Sequence, residues 1–461
     1  MKNILVIGLL LIGLASCQNL EEMNINPNLP TETHPQLLLT NIEWDAFRDY
    51  RGTSPLYALK MLVQTDGENT SQYYKWDRAS YGNYSVLKNV TKMMEEGERI
   101  GEPTYVALGK FFRSYYFYNL TLTFGDVPYS AALKGEIEQN YQPVYDEQEM
   151  VFTGILKELE EANDILAANN TIIAGDIIYD GDVTSWRKLV NAFRLKVMLT
   201  LSEKDGMNID SEFASVYQNE PLMEGVDESG QLVFLDQQDN RYPDFNSSGF
   251  SSGMYMDSTF IQRLQDREDP RLFIYCTQTK SAKEAGKDIS DFSAYEGGDP
   301  AAPYAEVNEK ATEGNDRYHK DPVNEPYMLL GYSEQQLILA EAATKGWINA
   351  DAAMLYESGV KASFKFYEMY AENYSSFVGE ADAENYLSKP INDFSMASTE
   401  DEQMQLIIMQ KYLQSFFQLG WTSFFDHLRS GGYPSFRRPA GVEIPYRWIY
   451  PQSEYNYNAN N

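Results

Sequence analysis

SEQQLILAEAATKGWINADAAMLYESGVKASFKFYEMYAE, residues 333–372, reads as two amphipathic helices joined by a turn. Residues 333–345 and 350–372 carry apolar side chains at steps of three and four, so each has one face that must be covered. Gly346-Trp347-Ile348-Asn349 splits them. A helix pair of this kind cannot bury its own faces fully and needs neighbours of the same kind.

Those neighbours are present along the chain. Residues 102–122 repeat the stripe with Leu108, Phe111, Phe112, Tyr115, Asn119 and Leu122. Residues 147–168 place Val151, Ile155, Leu159, Ala162 and Leu166 on one face, with Glu158, Glu160 and Glu161 beside or opposite it. Residues 184–202 follow with Trp186, Leu189, Val190, Phe193, Val197 and Leu201, and Asp182 is their expected N-cap. A last strong amphipathic helix covers 401–418. Helix–turn–helix units with small residues such as Ala340, Ala342 and Ala343 at close contacts resemble tetratricopeptide repeats. The expected fold is mainly α: a helical scaffold with tetratricopeptide-like units.

Three stretches break the rhythm. Residues 203–331 are rich in Gly, Ser, Asp, Asn, Pro and Tyr and read as a loop-rich insertion; such long irregular segments usually carry function. Residues 65–85 and 431–461 are irregular too, the latter punctuated by Pro434, Pro439, Pro445 and Pro451.

Composition excludes several functions. There are 37 Lys+Arg against 68 Asp+Glu in 461 residues, a formal charge of −31. Such a surface repels phosphate backbones and anionic lipid headgroups, so no nucleic-acid partner is expected. With 3 His and 2 Cys, a thiolate or imidazole zinc cage is nearly excluded. No cofactor or metal is expected. Asp176, Asp180 and Asp182 could offer oxygens to calcium, but capping explains them better.

The N-terminus has its own logic. Lys2 precedes a 12-residue apolar run, Ile4 to Ala15, short of the roughly 20 a spanning helix needs. Residues 1–16 read as a signal peptide. Leu14-Ala15-Ser16-Cys17 looks like a bacterial lipobox, with Cys17 the lipid attachment site. Residues 17–36 then form a polar, proline-bearing tether, and 37–461 the folded domain. Anchorage in an outer membrane is the expected location.

Ordered motifs carry a family resemblance. Phe124-Gly125-Asp126-Val127-Pro128-Tyr129 ends one helix, and Tyr179-Asp180-Gly181-Asp182 opens another. Asp269-Pro270-Arg271 follows, then Tyr332-Ser333-Glu334 and Leu339-Ala340-Glu341-Ala342. Gln410-Lys411-Tyr412, Asp426, Arg429, Gly432-Tyr433-Pro434 and Ile444-Pro445-Tyr446-Arg447 close the series. After a lipobox, this order resembles the SusD/RagB family of outer-membrane nutrient-binding lipoproteins. His427-Leu428 and Ser430 depart from the Arg-Arg-Thr-Gly often found there. The resemblance implies a tetratricopeptide-like helical repeat scaffold of four helix pairs with a loop-rich face, a glycan ligand, with peptide as the alternative, and a SusC-type TonB-dependent transporter as partner.

The motif residues themselves read as caps, turns and ion pairs, so ligand contacts are expected in the irregular segments. Sugars need flat apolar faces plus amide, carboxylate or guanidinium groups for their hydroxyls. Tyr73, Tyr74, Trp76, Asp77 and Arg78 offer both; so do Tyr242, Asn246, Phe250 and Tyr295 in the insertion. The expected site is an aromatic arc around Trp76. Covering a helix end is the competing role for Trp76. Trp44, Trp186 and Trp421 read as core, Trp347 and Trp448 as packing. No catalytic residue is expected. Gly249-Phe250-Ser251-Ser252-Gly253 matches a nucleophile elbow but lacks the strand before it. The remaining enzyme alternative is a surface glycoside hydrolase with paired carboxylates.

Overall fold

In the computed structural model, which describes residues 32–49, 52–65, 67–204, 207–247 and 254–460, helices form where the sequence carries a stripe. Helix α1 (Pro35–Arg48) starts two residues inside the expected tether, with the His34 ring accepting from the Gln36 N–H. Then follow α2 (Asn83–Ile100), α3 (Pro103–Phe124), α4 (Gln148–Ala167) and α5 (Val183–Thr200). After the irregular stretch come α6 (Tyr332–Thr344), α7 (Ala352–Tyr370), α8 (Glu400–Leu413) and α9 (Thr422–Arg429). The expected signal peptide, Cys17 and most of the expected tether lie outside the described residues.

The pairs α2/α3, α4/α5, α6/α7 and α8/α9 pack side by side, the four-pair scaffold expected. Successive pairs join through α3 on α4, α5 on α6 and α6 on α8. Caps fix the boundaries. Asp182 accepts from the Thr184 and Ser185 N–H groups, Asp351 from Ala353 and Met354, and Thr399 shares a capping box with Glu402. Trp186 is fully buried against Phe111, Phe112 and Tyr179.

The stretch 203–331 is less irregular than its composition suggests. It holds helices Ile209–Asn219 and Ser258–Asp266 and several shorter ones. Two small antiparallel pairs tie it down. β1 (Leu62–Val63) pairs with β3 (Tyr255–Met256), and β2 (Gly230–Leu232) with β4 (Tyr327–Leu330). The second pair sets Gly230 against Leu330 and returns the chain to α1 and α5.

Buried charge locks the scaffold. Asp426 and Arg429 pair at 2.8 Å on α9, Arg429 reaches Glu341 at 2.8 Å, and Lys411 meets Glu341 and Asp426 at 2.9 Å each. Lys196 on α5 meets Glu334 on α6 at 2.9 Å. Three cations face three anions, so the cluster is neutral and binds four helices together.

Glu43 on α1 is fully buried beside Asp176. Its Oε2 accepts from the Ile177 N–H at 2.8 Å. The Asp176 carboxylate accepts from Ile178, Tyr179, Gly181 and the Trp186 indole. Burial first, then the Asp176 charge, push the Glu43 carboxyl well above its ordinary 4.5. The folded chain therefore keeps a proton that the unfolded chain releases. That contribution is complete below the ordinary value and is lost as pH rises through the raised folded value. We expect Glu43→Gln to match the parent in acid and to become progressively more stable than it toward alkaline pH. Urea unfolding across a pH series checks this; a constant difference at all pH values would contradict it.

A candidate ligand-binding cleft

The chain leaves α9 through Gly431 and Gly432, both at left-handed φ (70° and 99°), which glycine adopts without a Cβ clash. It then doubles back along the helix. Phe436 is buried, and Arg437 bonds Asp257 at 2.8 Å, pinning the return strand to the insertion. Between α9 and residues 431–446 lies a cleft of about 490 Å³. Leu428, Phe436 and Ile444 give it apolar walls; Arg438, Glu443 and Tyr446 give it polar ones.

Arg438 and Glu443 are exposed, and no described residue pairs with either. Tyr446 is 77% exposed. Free guanidinium, free carboxylate and an open aromatic face in one concavity can hydrogen-bond hydroxyls and cover an apolar ring surface. His427 closes the floor. Its Nδ1 donates to the Pro434 carbonyl at 2.9 Å, and burial, helped by the Arg263 and Arg438 charges, pushes the imidazole down to about 4. It is therefore a neutral group near pH 7.

An aromatic cluster backs the cleft. Trp76 stacks on Trp448 at 4.6 Å and meets Trp421 (5.5 Å), Phe424 (5.4 Å) and Tyr74 (5.9 Å) edge-on. Phe424 continues to His427, and His427 to Phe436 at 4.4 Å. Trp76 is half-buried, with its indole nitrogen buried and unbonded. Its contacts are those of a packing residue behind the cleft, the competing role named above.

The expected arc does not assemble. Tyr74 is buried at positive φ, its hydroxyl donating to Ala58 O at 2.8 Å and its ring covered by the Lys60 amine, which also donates to the Gln72 carbonyl. Tyr242 is 1% exposed, wedged against Phe234 and Tyr327. Tyr295 is 3% exposed, its hydroxyl donating to Ile289 O. These three rings have no free face, because core partners distant in sequence cover them. Tyr73 is half-buried; Asp77, Arg78 and Asn246 are exposed. Asn246 stands at positive φ with its N–H donating to His319 O, a turn role. Phe250 and the elbow-like Gly249–Gly253 lie outside the described residues. Arg438 and Glu443 are the cleft residues the sequence reading passed over; Tyr446 and His427 entered it only as positions of the ordered motifs. The signal for the first two was the proline-punctuated tail.

The Asp176 and Asp182 oxygens are engaged by N–H donors, as capping requires. Among the described residues no group of three or more His, Cys, Asp or Glu could hold a metal. Glu43 and Asp176, two carboxylates in contact, both sit buried in the core. Among the described residues no helix is long and apolar enough to cross a membrane.

Fold and cleft together define a helical-repeat protein with an open concavity beside its last helix pair. The chain belongs to the SusD-like family described as "Starch-binding associating with outer membrane", whose model matches residues 27–451. A SusD homologue from Bacteroides fragilis is 55% identical, with 93% of this chain and 94% of that chain covered at a TM-score of 0.88. An outer-membrane protein of Bacteroides vulgatus associated by name with nutrient binding is 51% identical over the same shares, again at 0.88. A protein named as chitin-binding is 26% identical over 92% of this chain and 94% of its own, at 0.74. No curated protein matches the chain. Members of this family are binding proteins associated with the outer membrane.

Proposed function

We propose that this chain is a lipid-anchored surface protein that captures a glycan in the 427–446 cleft and hands it to a SusC-type TonB-dependent channel. The observation that carries the ligand half is the unpaired Arg438 and Glu443 beside the open face of Tyr446, in a family named for starch binding. Anchorage rests on the Cys17 lipobox, and the channel rests on family membership. Catalysis forms no part of this reading. A peptide ligand is the second reading, since free Arg and Glu could also meet peptide termini.

A panel of oligosaccharides, including α-glucans and chitin oligosaccharides, scored against a peptide panel for binding and for product formation, tests the ligand. Saturable glycan binding without turnover is expected; peptide binding alone, or product formation that tracks the protein, would overturn it. Gentle detergent extraction of native membranes tests the partner. We expect a much larger barrel protein to co-purify, and Cys17→Ala to leave the membrane fraction. A lone lipoprotein under every mild condition would count against the channel.

A further inference from the structure

Large apolar side chains left in solvent gather on the tail. Tyr446 (77% exposed), Ile449 (46%), Tyr455 (63%) and Tyr457 (74%) follow one another along it, and Tyr141 (77%) stands on the segment it touches. Their backbone is nonetheless tightly held. Arg78 bridges Ile449 and donates to the Tyr450 carbonyl at 2.7 Å. The Tyr450 ring stacks on Phe124 and its hydroxyl donates to Asp126 O at 2.7 Å. Asn458 donates to Pro143 O at 2.9 Å and Asn460 to Gln142 O at 2.7 Å, which fastens the tail to the 140–145 segment.

A segment this well pinned could bury its rings, as it buries part of Trp448 and Tyr450 among Trp76 and Phe124. It holds the others out. Tyr455 has the Arg78 guanidinium 4.7 Å over its ring, so the ring is fixed and still mostly open. Charged groups around it are few, the Arg78 guanidinium being one of them. Residues 446–460 contain only Arg447 and Glu454 as charges. Glu454 is engaged by Tyr145 and Asn458, and Arg447 by Phe124 O. Exposed Gln452 and Asn456 leave amides beside the rings. Phenol faces with amides and guanidinium donors suit an uncharged, hydroxyl-rich ligand; two guanidiniums on a chain of formal charge −31 do not suit a polyanion or an anionic lipid surface.

The platform is continuous with the cleft. Tyr446 lines the cleft, and three residues on, no more than about 11 Å along the chain, Ile449 joins Arg78 and with it Tyr455. We propose that the tail is a second binding platform that takes the outer units of an extended neutral oligosaccharide whose first units lie in the cleft. This rests on the glycan reading above and adds chain length to it: the protein selects long chains over short ones.

Affinities of short (two- or three-unit) and long (six- or seven-unit) α-glucan and chitin oligosaccharides should be measured by calorimetry. The parent and Tyr455→Ala/Tyr457→Ala are compared, with melting curves as a folding control. The parent should gain at least about tenfold in affinity from short to long in the series it binds. The double variant should lose that gain and keep the short-chain affinity. Persistence of the gain in the double variant, or no gain with length in the parent, would overturn the platform and leave the cleft standing. Absence of glycan binding at every length, or a length gain seen with peptides instead, would overturn the glycan reading and this inference with it.

Discussion

Asp269→Ala is expected to lower the unfolding free energy by about 3–5 kcal/mol, the usual cost of stranding one partner of a buried ion pair. Asp269 and Arg271 are both wholly inaccessible and meet at 2.6 Å. The guanidinium also donates to Ser363 Oγ (3.1 Å) on α7 and Gln410 Oε1 (2.9 Å) on α8. The pair therefore rivets the insertion to the last two helix pairs. Without Asp269 a full positive charge remains in a site that water does not reach. Adding Arg271→Met should recover much of the loss, because it removes that charge while keeping apolar volume. Chemical denaturation of the two variants checks this. A loss under about 1 kcal/mol for Asp269→Ala would mean the site relaxes enough to hydrate Arg271.

Trp76→Ala is expected to cost about 3 kcal/mol of stability, the low end for a large aromatic, since the ring is only half-buried. It removes the stack on Trp448 and the edge contacts to Trp421 and Phe424. Phe424 supports His427 and so the cleft floor, which makes weaker ligand binding a secondary effect here. A variant that keeps its melting temperature but loses ligand would reinstate Trp76 as a direct platform.

Helix stripes were readable because periodicity is local: Leu189, Phe193 and Val197 announce a buried face from within one helix. The same holds for Asp182, whose capping partners lie two or three residues away. Ring orientation in irregular segments is not local. Trp76 sits among polar neighbours in sequence, yet its stacking partner is Trp448 near the other end of the chain. Tyr242 reads as a loop aromatic, yet Phe234 and Tyr327 enclose it. The cleft was legible only as a proline-rich tail and two motif positions, Tyr446 and His427, since its polar residues converge through the turn at Gly431-Gly432 and the anchor of Arg437 on Asp257. Burial of the ion cluster around Glu341 was likewise only half visible: the Asp426–Arg429 spacing suggested a pair, and the other members come from α5, α6 and α8.

The central claim is that the 427–446 cleft binds glycan through Tyr446 and Arg438. Calorimetric titration of Tyr446→Ala and Arg438→Ala with the tightest oligosaccharide from the panel tests it most directly. Both side chains are exposed at the surface, so melting temperatures should stay within about 1–2 °C of the parent. Affinity should fall about thirtyfold for Tyr446→Ala, the effect of losing about 2 kcal/mol at a well-used aromatic contact, and about tenfold for Arg438→Ala. Unchanged affinity in both variants would contradict the account and place the glycan elsewhere on the protein.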